Sequence, residues 1–503
     1  MATPAEAISL GREAAGKGQL DAAVRHFRAA LQALPGDPMP TIWLGQALCA
    51  GGNLHEGTAC LRDGALARLA LAGTRPEDLL PVAQLLQKVG DAASSLRVLE
   101  GLAAKGLDTP ALHHAMATAA AQLARHDLAL ASCAKALRGA PHHPHLEVLT
   151  ASIEIDAGQA SVAEARLDRL LSGDLPPRER FRALRERARA RDRLGRHREV
   201  FADLAAGAAI APDLPEYAAQ DAGLVARLLA QDEAAFDATM LRRWRDDGPA
   251  DKAPAPVFLL GYLRSGTTLM QELLACHPEV LVADEAPLLS GTQAAIRPAA
   301  SRLAGLDALD RQAIARLRQR YRRLAAMRLG PDADARRLVD KFALNVIDLP
   351  VILRLFPEAS ILFMVRDPRD VCLSSVLQLM PPSPSTVNLL GWEDAVRFHA
   401  LVTATWRRYR DALGLHASEV RYEALVDDLE GTMRGALAPL GLGWTEAMRS
   451  FHENAATRAI STPSRSQVTR PLNRASVERW RSYAPEFARV ESLIAPALRD
   501  WGY

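Results

Sequence analysis

The sequence Pro256-Val-Phe-Leu-Leu-Gly-Tyr-Leu-Arg-Ser-Gly-Thr-Thr268 joins an apolar run to a glycine-bearing loop. The run at 257–260 has the length and composition of a strand buried in a parallel sheet. After the loop, apolar side chains recur on one face of a predicted helix, at Leu269, Met270, Leu273 and Leu274. A loop that leads into a helix N-terminus presents backbone N–H groups to an anion. This stretch therefore predicts an α/β domain with an anion-binding turn.

The ligand of this loop is expected to be a phosphate-like anion. The spacing is close to the nucleotide motif G-x-x-x-x-G-K-[ST], but Thr267 stands where that motif has lysine. Without the lysine, a site for β- and γ-phosphates lacks its main cation, although Arg264 supplies charge from inside the loop. We therefore predict an anion other than a nucleoside triphosphate. A purely structural Gly-Thr turn is the alternative.

A second motif follows a second apolar run. Residues 360–365 read as a strand that ends at Arg366, and a turn at Asp367-Pro368 leads into a predicted helix that carries Ser374. Parallel strands expose their carboxyl ends on one edge of the sheet, where ligands bind. Arg366 and Ser374 are therefore candidates to clamp a second phosphate. A single Arg-Asp-Pro turn is commonly only a capped turn, but two such loops in one domain are more specific.

The N-terminal half repeats with a period of 34 residues. Glycines share one phase, with four extra residues between the second and third, at Gly18, Gly52, Gly90 and Gly158. The period and the small-large-small pattern resemble the tetratricopeptide repeat. About six units fit between residues 4 and 212, and the sixth has Asp192 where the glycine is expected. Stacked helix pairs predict an α-solenoid. Its groove is expected to hold a protein or peptide acceptor; a structural solenoid or a homodimer face is the alternative.

Domain limits follow from where these patterns stop. The helical pattern continues to Arg245, and the segment 246–256 then breaks all periodicity, as a linker does. We predict a repeat solenoid at 4–212, a helical connector and linker at 213–255, and a catalytic domain at 256–503. The last of these is expected to be a three-layer α/β domain with a short parallel sheet.

Composition limits the classes of function. A chain of 503 residues is expected to hold at least two domains, and a net charge of +2 predicts no binding to nucleic acid. Five scattered cysteines without a CxxC pair indicate free thiols in a reducing compartment. No basic and apolar leader is apparent, and no apolar run approaches the roughly 18 residues of a membrane span. We therefore expect a cytoplasmic protein without a membrane span.

The two loops together resemble those of the sulfotransferases. The stretch 256–269 is similar to their 5′-phosphosulfate loop, and Val365-Arg-Asp-Pro-Arg-Asp370 followed by Ser374 is similar to their 3′-phosphate motif. The whole chain resembles the bacterial tetratricopeptide-repeat sulfotransferases, and its catalytic domain is most similar in pattern to the protein-tyrosine sulfotransferases. The resemblance covers about 256–503. It implies a P-loop-like sulfotransferase fold and 3′-phosphoadenosine 5′-phosphosulfate as co-substrate, with no metal.

The resemblance also implies a role for each matching nucleotide-binding residue. The 5′-phosphosulfate would be held by Arg264, Ser265, Gly266, Thr267 and Thr268, and the 3′-phosphate by Arg366 and Ser374. Tyr422 and Arg479, which precedes Trp480, would contact the nucleotide. The chain departs from the family pattern at Gln378, near a position where the family often has a basic residue.

Four residues are implied in the chemical step, namely Arg264, Glu285, Lys341 and Ser464. Glu285 matches the glutamate that accepts the proton of the attacking hydroxyl, and Asp284 is the alternative if the loop is shifted by one residue. Lys341 and Arg264 would meet the negative charge of the leaving phosphate, assisted by Ser464. A carboxylate within hydrogen-bond reach suits a general base, and charge stabilisation dominates such in-line transfers.

Several alternatives stay open. The acceptor is expected to be a hydroxyl group, and peptide tyrosine, polysaccharide, lipid and small phenol all fit. A P-loop-type phosphoryl transferase is a rival function, against which Thr267 argues. A repeat scaffold with an inactive transferase domain is another, against which the joint presence of the motif residues argues. The arginines at 311–337 are interpreted as a solvated helix face, with attraction of an acidic acceptor as the alternative.

Overall fold

The computed structural model describes residues 3–296, 299–413, 417–457 and 465–503. The chain packs as two compact units. The described part of unit 1 comprises 3–158, 323–333 and 455–457, and unit 2 comprises the other described residues. The domain limits at 212 and 255 stay predictions. No described helix has both the length and the hydropathy needed to cross a membrane.

The N-terminal region is built of successive helices, of which α1 and α2, α3 and α4, α5 and α6, α7 and α8, and α11 and α12 pack as hairpins. These are α1 Pro4–Gly16, α2 Leu20–Ala33, α3 Met39–Ala50, α4 Leu54–Ala70, α5 Leu80–Lys88, α6 Ala92–Ala104, α7 Pro110–Gln122, α8 His126–Gly139, α9 Pro144–Asp156, α10 Ala160–Leu171, α11 Pro177–Arg193 and α12 His197–Ile210. The short helices α13 Pro215–Ala218, α14 Leu224–Ala234 and α15 Ala238–Asp246 follow. Both α11 and α12 belong to unit 2.

The turns inside the hairpins lie where the repeat pattern predicts them. Gly18, Gly52, Gly90 and Gly158 all have positive φ, and Ala124 takes the same place in the fourth unit with φ 56°. The sixth unit differs from the prediction, because α11 has 17 residues and contains Asp192. Its turn is made by Gly195, with φ 72°. Glycine tolerates this left-handed conformation at little steric cost, which explains why it ends these helices.

The small-large-small pattern forms the core of the first hairpin. Ala23 and Ala30 of α2 are fully buried, and Phe27 between them is 2% exposed. A Cβ at Gly11 of α1 would lie 2.6 Å from the Phe27 ring, so the glycine permits the close approach of the two helices. The repeat pattern is therefore a packing requirement of this hairpin.

Five parallel strands form one sheet in unit 2, in the order β2-β3-β1-β4-β5. The strands are β1 Val257–Gly261, β2 Val280–Asp284, β3 Arg337–Lys341, β4 Ser360–Val365 and β5 Ala417–Arg421. All five residues of β1 are buried, so both faces of the central strand are covered. The predicted fold class, helical hairpins followed by an α/β domain with a short parallel sheet, is confirmed.

Helices connect and flank these strands. They are α16 Thr267–Ala275, α17 Thr292–Ile296, α18 Arg302–Asp307, α19 Arg311–Leu329, α20 Leu349–Leu355, α21 Pro368–Leu377, α22 Trp392–Leu413, α23 Tyr422–Asp427, α24 Leu429–Leu437, α25 Phe451–Thr457, α26 Arg465–Val468, α27 Ala484–Ala488 and α28 Glu491–Trp501. Because β1 pairs with β3 on one side and β4 on the other, the chain leaves the centre of the sheet in both directions. Ligands of open α/β sheets bind at such a switch point.

The segment before β1 is held in place by arginines of α19. Arg318 is fully buried, and it donates hydrogen bonds to Asp251 Oδ1 at 3.2 Å and to the Ala253 carbonyl at 3.1 Å. Arg311 donates to the Asp247 carbonyl at 3.1 Å. The interpretation of these arginines as a solvated face is therefore wrong for Arg318, whose charge is buried and paired. A buried guanidinium with several acceptors fixes the segment against the domain.

Candidate active site

A residue or loop that the sequence analysis singled out lies at, or directly after, the carboxyl end of each of the five strands. The carboxyl ends of parallel strands lie on one edge of the sheet. The loop 262–266 follows β1, Glu285 follows β2, Lys341 ends β3, Arg366 follows β4 and Tyr422 follows β5. The sheet topology therefore brings residues from five separate segments to one edge.

The first loop turns through left-handed backbone conformations. The φ angle is 68° at Arg264 and 105° at Gly266. A Cβ at Gly266 would lie 2.8 Å from Cδ2 of Tyr422, so glycine is required both by the backbone and by the approach of the ring. Helix α16 begins at the next residue, Thr267. Its first N–H groups therefore face the loop, as in anion sites at helix N-termini.

The two predicted anion-binding turns are in direct contact. Nε of Arg264 donates a hydrogen bond to Oγ of Ser374 at 3.0 Å, and its Nη2 donates to Oε1 of Gln467 at 3.1 Å. Arg264 is 8% exposed. Burial, and then the positive charge of Arg366, lower the pKa of Arg264 to about 9. A site that crowds buried guanidinium groups in this way favours a ligand with several negative charges.

Arg366 connects the second turn to the first. Its Nη1 donates to the carbonyl of Arg264 at 2.9 Å, and its Nη2 donates to the carbonyl of Ser476. The guanidinium carbon lies 4.7 Å from the centre of the Tyr422 ring, a cation–π contact. Arg366 is therefore fixed on three sides beside the loop that follows β1. No motif indicated Gln467 or Ser476, because a contact made by a backbone carbonyl or a single side-chain amide has no sequence pattern.

The segment that contains Arg479 and Trp480 is fixed to the start of α21. The backbone N–H groups of Glu478 and Trp480 donate to the carboxylate of Asp370 at 2.7 and 2.9 Å. The guanidinium of Arg369 lies 3.6 Å from the centre of the Trp480 ring. Arg479 itself contacts Asp192 of α11. The predicted basic-Trp pair therefore lies against the second anion-binding turn.

Lys341 lies between the two candidate bases. Its Nζ donates to Oδ1 of Asp284 at 2.8 Å and to Oε1 of Glu285 at 3.0 Å. The Lys341 side chain is fully buried, whereas the Glu285 side chain is 40% exposed and that of Asp284 is 22% exposed. Burial would lower the pKa of Lys341, but the two carboxylates outweigh it and raise that pKa above its ordinary value. Lys341 therefore stays protonated at neutral pH.

Glu285 has a strained backbone, with φ 47°. Its N–H donates to the carbonyl of Lys341 at 2.8 Å, which fixes the residue at the end of β2. Non-glycine residues in this region cost about 1–3 kcal/mol and persist where the surroundings impose them, often at functional sites. The more exposed carboxylate is the one in the strained conformation. This favours Glu285 over Asp284 as the group that meets an acceptor.

A neighbouring buried acid, Asp340, has its pKa raised to about 7 by burial, although Tyr321 donates a hydrogen bond to it at 2.9 Å. Between about pH 4 and pH 7 the folded chain keeps a proton that the unfolded chain has lost, so stability falls as the pH rises through this range. Asp340→Asn is expected to remove this slope. Thermal or urea unfolding should show that the variant and the unmodified chain have the same free energy of unfolding at pH 4. At pH 8 the free energy of unfolding of the variant should be higher by about 4 kcal/mol.

The control for this prediction is Asp334→Asn, at an exposed position just before β3. It is expected to leave the pH dependence of unfolding as in the unmodified chain. Equal pH slopes for the Asp340→Asn variant and the unmodified chain would show that Asp340 ionises normally in the folded protein.

Buried donor atoms without a hydrogen-bond partner among the described residues around the two turns include Oγ of Ser265, Nε of Arg366 and Nε1 of Trp480. Buried donors are nearly always satisfied in folded proteins, so such a cluster points to a ligand with several acceptor oxygens. Ser464 lies outside the described residues, and its role stays a prediction. Within the described ranges, no group of three or more His, Cys, Asp or Glu side chains is arranged to hold a metal ion.

The C-terminal region is similar to known sulfotransferases. The model of the sulfotransferase family matches residues 256–446. An uncharacterized protein of Aquifex aeolicus is 28% identical over 274 residues, which are 52% of this chain and 35% of that protein. Protein-tyrosine sulfotransferase 2 of Gallus gallus is 28% identical over 269 residues, which are 49% of this chain and 69% of that protein. The chain thus spans only about a third of the first of these relatives.

A solved structure was also compared, the sulfotransferase domain from the Synechococcus PCC 7002 olefin synthase. It shares 24% sequence identity with this chain at a TM-score of 0.33. The alignment covers 46% of this chain and 90% of that domain.

Proposed function

We propose that the C-terminal region transfers a sulfuryl group from 3′-phosphoadenosine 5′-phosphosulfate to a hydroxyl acceptor. The observation that carries this proposal is the 3.0 Å hydrogen bond from Arg264 to Ser374, which joins the two anion-binding turns. A nucleotide with phosphate groups at both ends of its ribose can contact both turns at once. The match of residues 256–446 to the sulfotransferase family model supports the same proposal.

The chain supplies binding and orientation on the donor side. The N–H groups at the start of α16, with Arg264 and the Ser265 hydroxyl, would hold the 5′-phosphosulfate. Arg366 and Ser374 would hold the 3′-phosphate, and Tyr422 and Arg479 would contact the nucleotide. Charge-assisted hydrogen bonds of this kind are about twice as strong as neutral ones and fix the sulfur for in-line attack.

The acceptor side holds a base and a cation. Glu285 would remove the proton of the attacking hydroxyl as its oxygen bonds to sulfur, and the bond from sulfur to the 5′-phosphate oxygen breaks. The electron pair stays on that phosphate, and the products are a sulfate ester and adenosine 3′,5′-bisphosphate. Lys341 and Arg264 would meet the charge that grows on the leaving oxygen. A preorganised hydrogen-bond donor at such a position lowers the activation barrier by about 3–4 kcal/mol.

The acceptor class is proposed from relatives and from the helical hairpins. Peptide tyrosine is the acceptor in the name of the Gallus gallus relative. Helical repeats commonly present concave surfaces to protein segments, so we propose a protein or peptide acceptor. Incubation with labelled donor and tyrosine peptides or cell extract, followed by identification of the labelled product, tests this acceptor class.

Nucleotide binding tests the donor. Adenosine 3′,5′-bisphosphate is expected to bind at least about a hundredfold more tightly than either adenosine 5′-monophosphate or ATP, because only the bisphosphate satisfies both turns. Isothermal titration calorimetry measures all three affinities under one buffer. Comparison with the monophosphate isolates the contribution of the second turn. Preferential binding of ATP would favour the rival phosphoryl transferase, and binding of none would contradict the proposal.

A further inference from the structure

Helix α11, the first helix of the last described hairpin, contacts the predicted nucleotide site inside unit 2. Both carboxylate oxygens of Asp192 accept hydrogen bonds from Nη2 of Arg479, each at 2.7 Å. The hydroxyl of Tyr483 donates to the same carboxylate at 2.9 Å. The Asp192 side chain is only 8% exposed, whereas that of Arg479 is 30% exposed. This ion pair is therefore formed at a largely buried anion with a second donor in place.

The same helix also contacts α21, which carries Ser374. The buried side chain of Arg185 donates through Nη2 to the carbonyls of Val376 and Gln378, at the C-terminal end of α21. A cation at a helix C-terminus donates hydrogen bonds to carbonyl groups that have no partner within the helix. It also interacts favourably with the negative end of the helix dipole. Helix α11 thus touches both the segment of Arg479 and the helix of Ser374.

The Arg479 guanidinium is anchored by one nitrogen. Asp192 engages Nη2, while Nε and Nη1 make no hydrogen bond among the described residues. The backbone on both sides of Arg479 is fixed, because the N–H groups of Glu478 and Trp480 donate to Asp370. An arginine side chain loses rotamer entropy when it is ordered. Because Asp192 already orders the side chain through Nη2, this loss of entropy does not recur when an anion binds. Nε and Nη1 are then left to donate hydrogen bonds to the anion.

The charges around Arg479 need a counter-ion. Besides burial and Arg366, the charge of Arg479 contributes to lowering the pKa of Arg264, so these guanidinium groups repel one another. Asp192 is a buried carboxylate in direct contact with one of them. It offsets part of this repulsion while the nucleotide is absent, which keeps Arg479 close to the other two instead of turned to solvent.

We propose that Asp192 is a positioning residue of the donor site, which orients Arg479 toward the bound nucleotide. This inference rests on the proposed function. According to this inference, the hairpin of α11 and α12 contributes to nucleotide binding as well as to the packing of the domain. In the sequence, Asp192 is the residue that breaks the repeat pattern, and the contact with Arg479 gives this departure a physical reason.

The test is a double-mutant cycle read by calorimetry with adenosine 3′,5′-bisphosphate. Asp192→Asn is expected to weaken binding about tenfold, because Arg479 loses its charged anchor. Arg479→Gln is expected to weaken binding by a similar factor. In the Arg479→Gln background, Asp192→Asn should change the affinity by less than about twofold, since Asp192 acts through Arg479. Asp192→Glu, which restores the charge, should recover part of the loss.

Asp203→Asn is the matched control. The side chain of Asp203 in α12 is 4% exposed, against 8% for that of Asp192, and it accepts hydrogen bonds from Arg187 at 2.6 Å and Arg191 at 2.9 Å. This variant is expected to lower the unfolding temperature and leave nucleotide affinity unchanged. Loss of affinity in Asp203→Asn equal to that in Asp192→Asn would show a general structural effect and overturn the inference.

The remaining outcomes separate the inference from the proposed function. If the unmodified protein does not bind the bisphosphate, the proposed function fails, and the inference fails with it. If the unmodified protein binds and Asp192→Asn binds equally well or more tightly, the inference alone fails. If Asp192→Asn weakens bisphosphate binding as much in the Arg479→Gln background as in the unmodified protein, then Asp192 does not act through Arg479, and the inference also fails.

Discussion

Glu285→Gln is expected to lower kcat for sulfuryl transfer by about 10²–10⁴-fold. The amide keeps the size of the side chain but cannot accept the proton of the attacking hydroxyl. Nucleotide affinity should stay within about twofold, because Glu285 follows β2 whereas the two anion-binding turns follow β1 and β4. Steady-state rates with labelled donor, together with calorimetry using adenosine 3′,5′-bisphosphate, measure the two quantities separately.

Asp284→Asn is the matched control for this prediction. Both carboxylates contact Lys341, at 2.8 Å from Asp284 and 3.0 Å from Glu285. Any loss that comes only from disturbing Lys341 should therefore appear in both variants. We expect the Asp284 variant to lose less than about tenfold in kcat, since Asp284 is the less exposed of the two. A larger loss at Asp284 would make that residue the base, and unchanged turnover in both would remove the assignment.

Arg366→Ala is expected to weaken binding of adenosine 3′,5′-bisphosphate by about 10²–10³-fold. Removing one partner of a buried, hydrogen-bonded charge pair commonly costs about 2–5 kcal/mol. Arg366 also donates to the carbonyl of Arg264 at 2.9 Å, so its loss disturbs both turns. Arg366→Lys should give an intermediate affinity, because lysine keeps the charge but not the planar fork. Adenosine 5′-monophosphate should show a much smaller change in affinity.

Arg302→Ala separates loss of a phosphate contact from loss of a buried arginine. Arg302 is as buried as Arg366, and it pairs with Asp232 and with Asp348 outside both turns. This variant is expected to unfold at a lower temperature and to bind the bisphosphate normally well below that temperature. If Arg302→Ala weakens binding as strongly as Arg366→Ala, then the Arg366 effect reports destabilisation and not recognition.

Local sequence patterns predicted the parts of the site that follow a strand. About 20 residues contain the run at 257–260, the glycine of the next loop and the apolar face of the following helix. The strand, loop and helix are therefore predictable together. The same holds for Arg366 after β4. The turn glycines of the hairpins were also predictable, because positive φ is a local requirement. Membership in one sheet was predicted, but the order of its strands was not.

Longer-range pairs were missed or misread. Asp192 breaks the repeat pattern in the sequence, yet it lies beside Arg479, which is 287 residues further along the chain. Arg318 belongs to a run of arginines that indicated a solvated helix face, yet it is fully buried against the segment before β1. No local pattern distinguishes a buried, paired arginine from an exposed one, because both occur at helical spacing.

Local patterns predicted the helix pairs and the two loops that follow β1 and β4, because each depends on neighbours within one turn, strand or helix. The candidate base and cation were predicted from the resemblance to the sulfotransferases. The partners of the buried polar groups become visible only in the folded chain: Lys341 contacts two carboxylates, Arg264 contacts Ser374, and Arg479 contacts Asp192. The physical reason is that a buried charge is tolerated only beside a partner that satisfies it, and chain folding, not sequence distance, selects that partner.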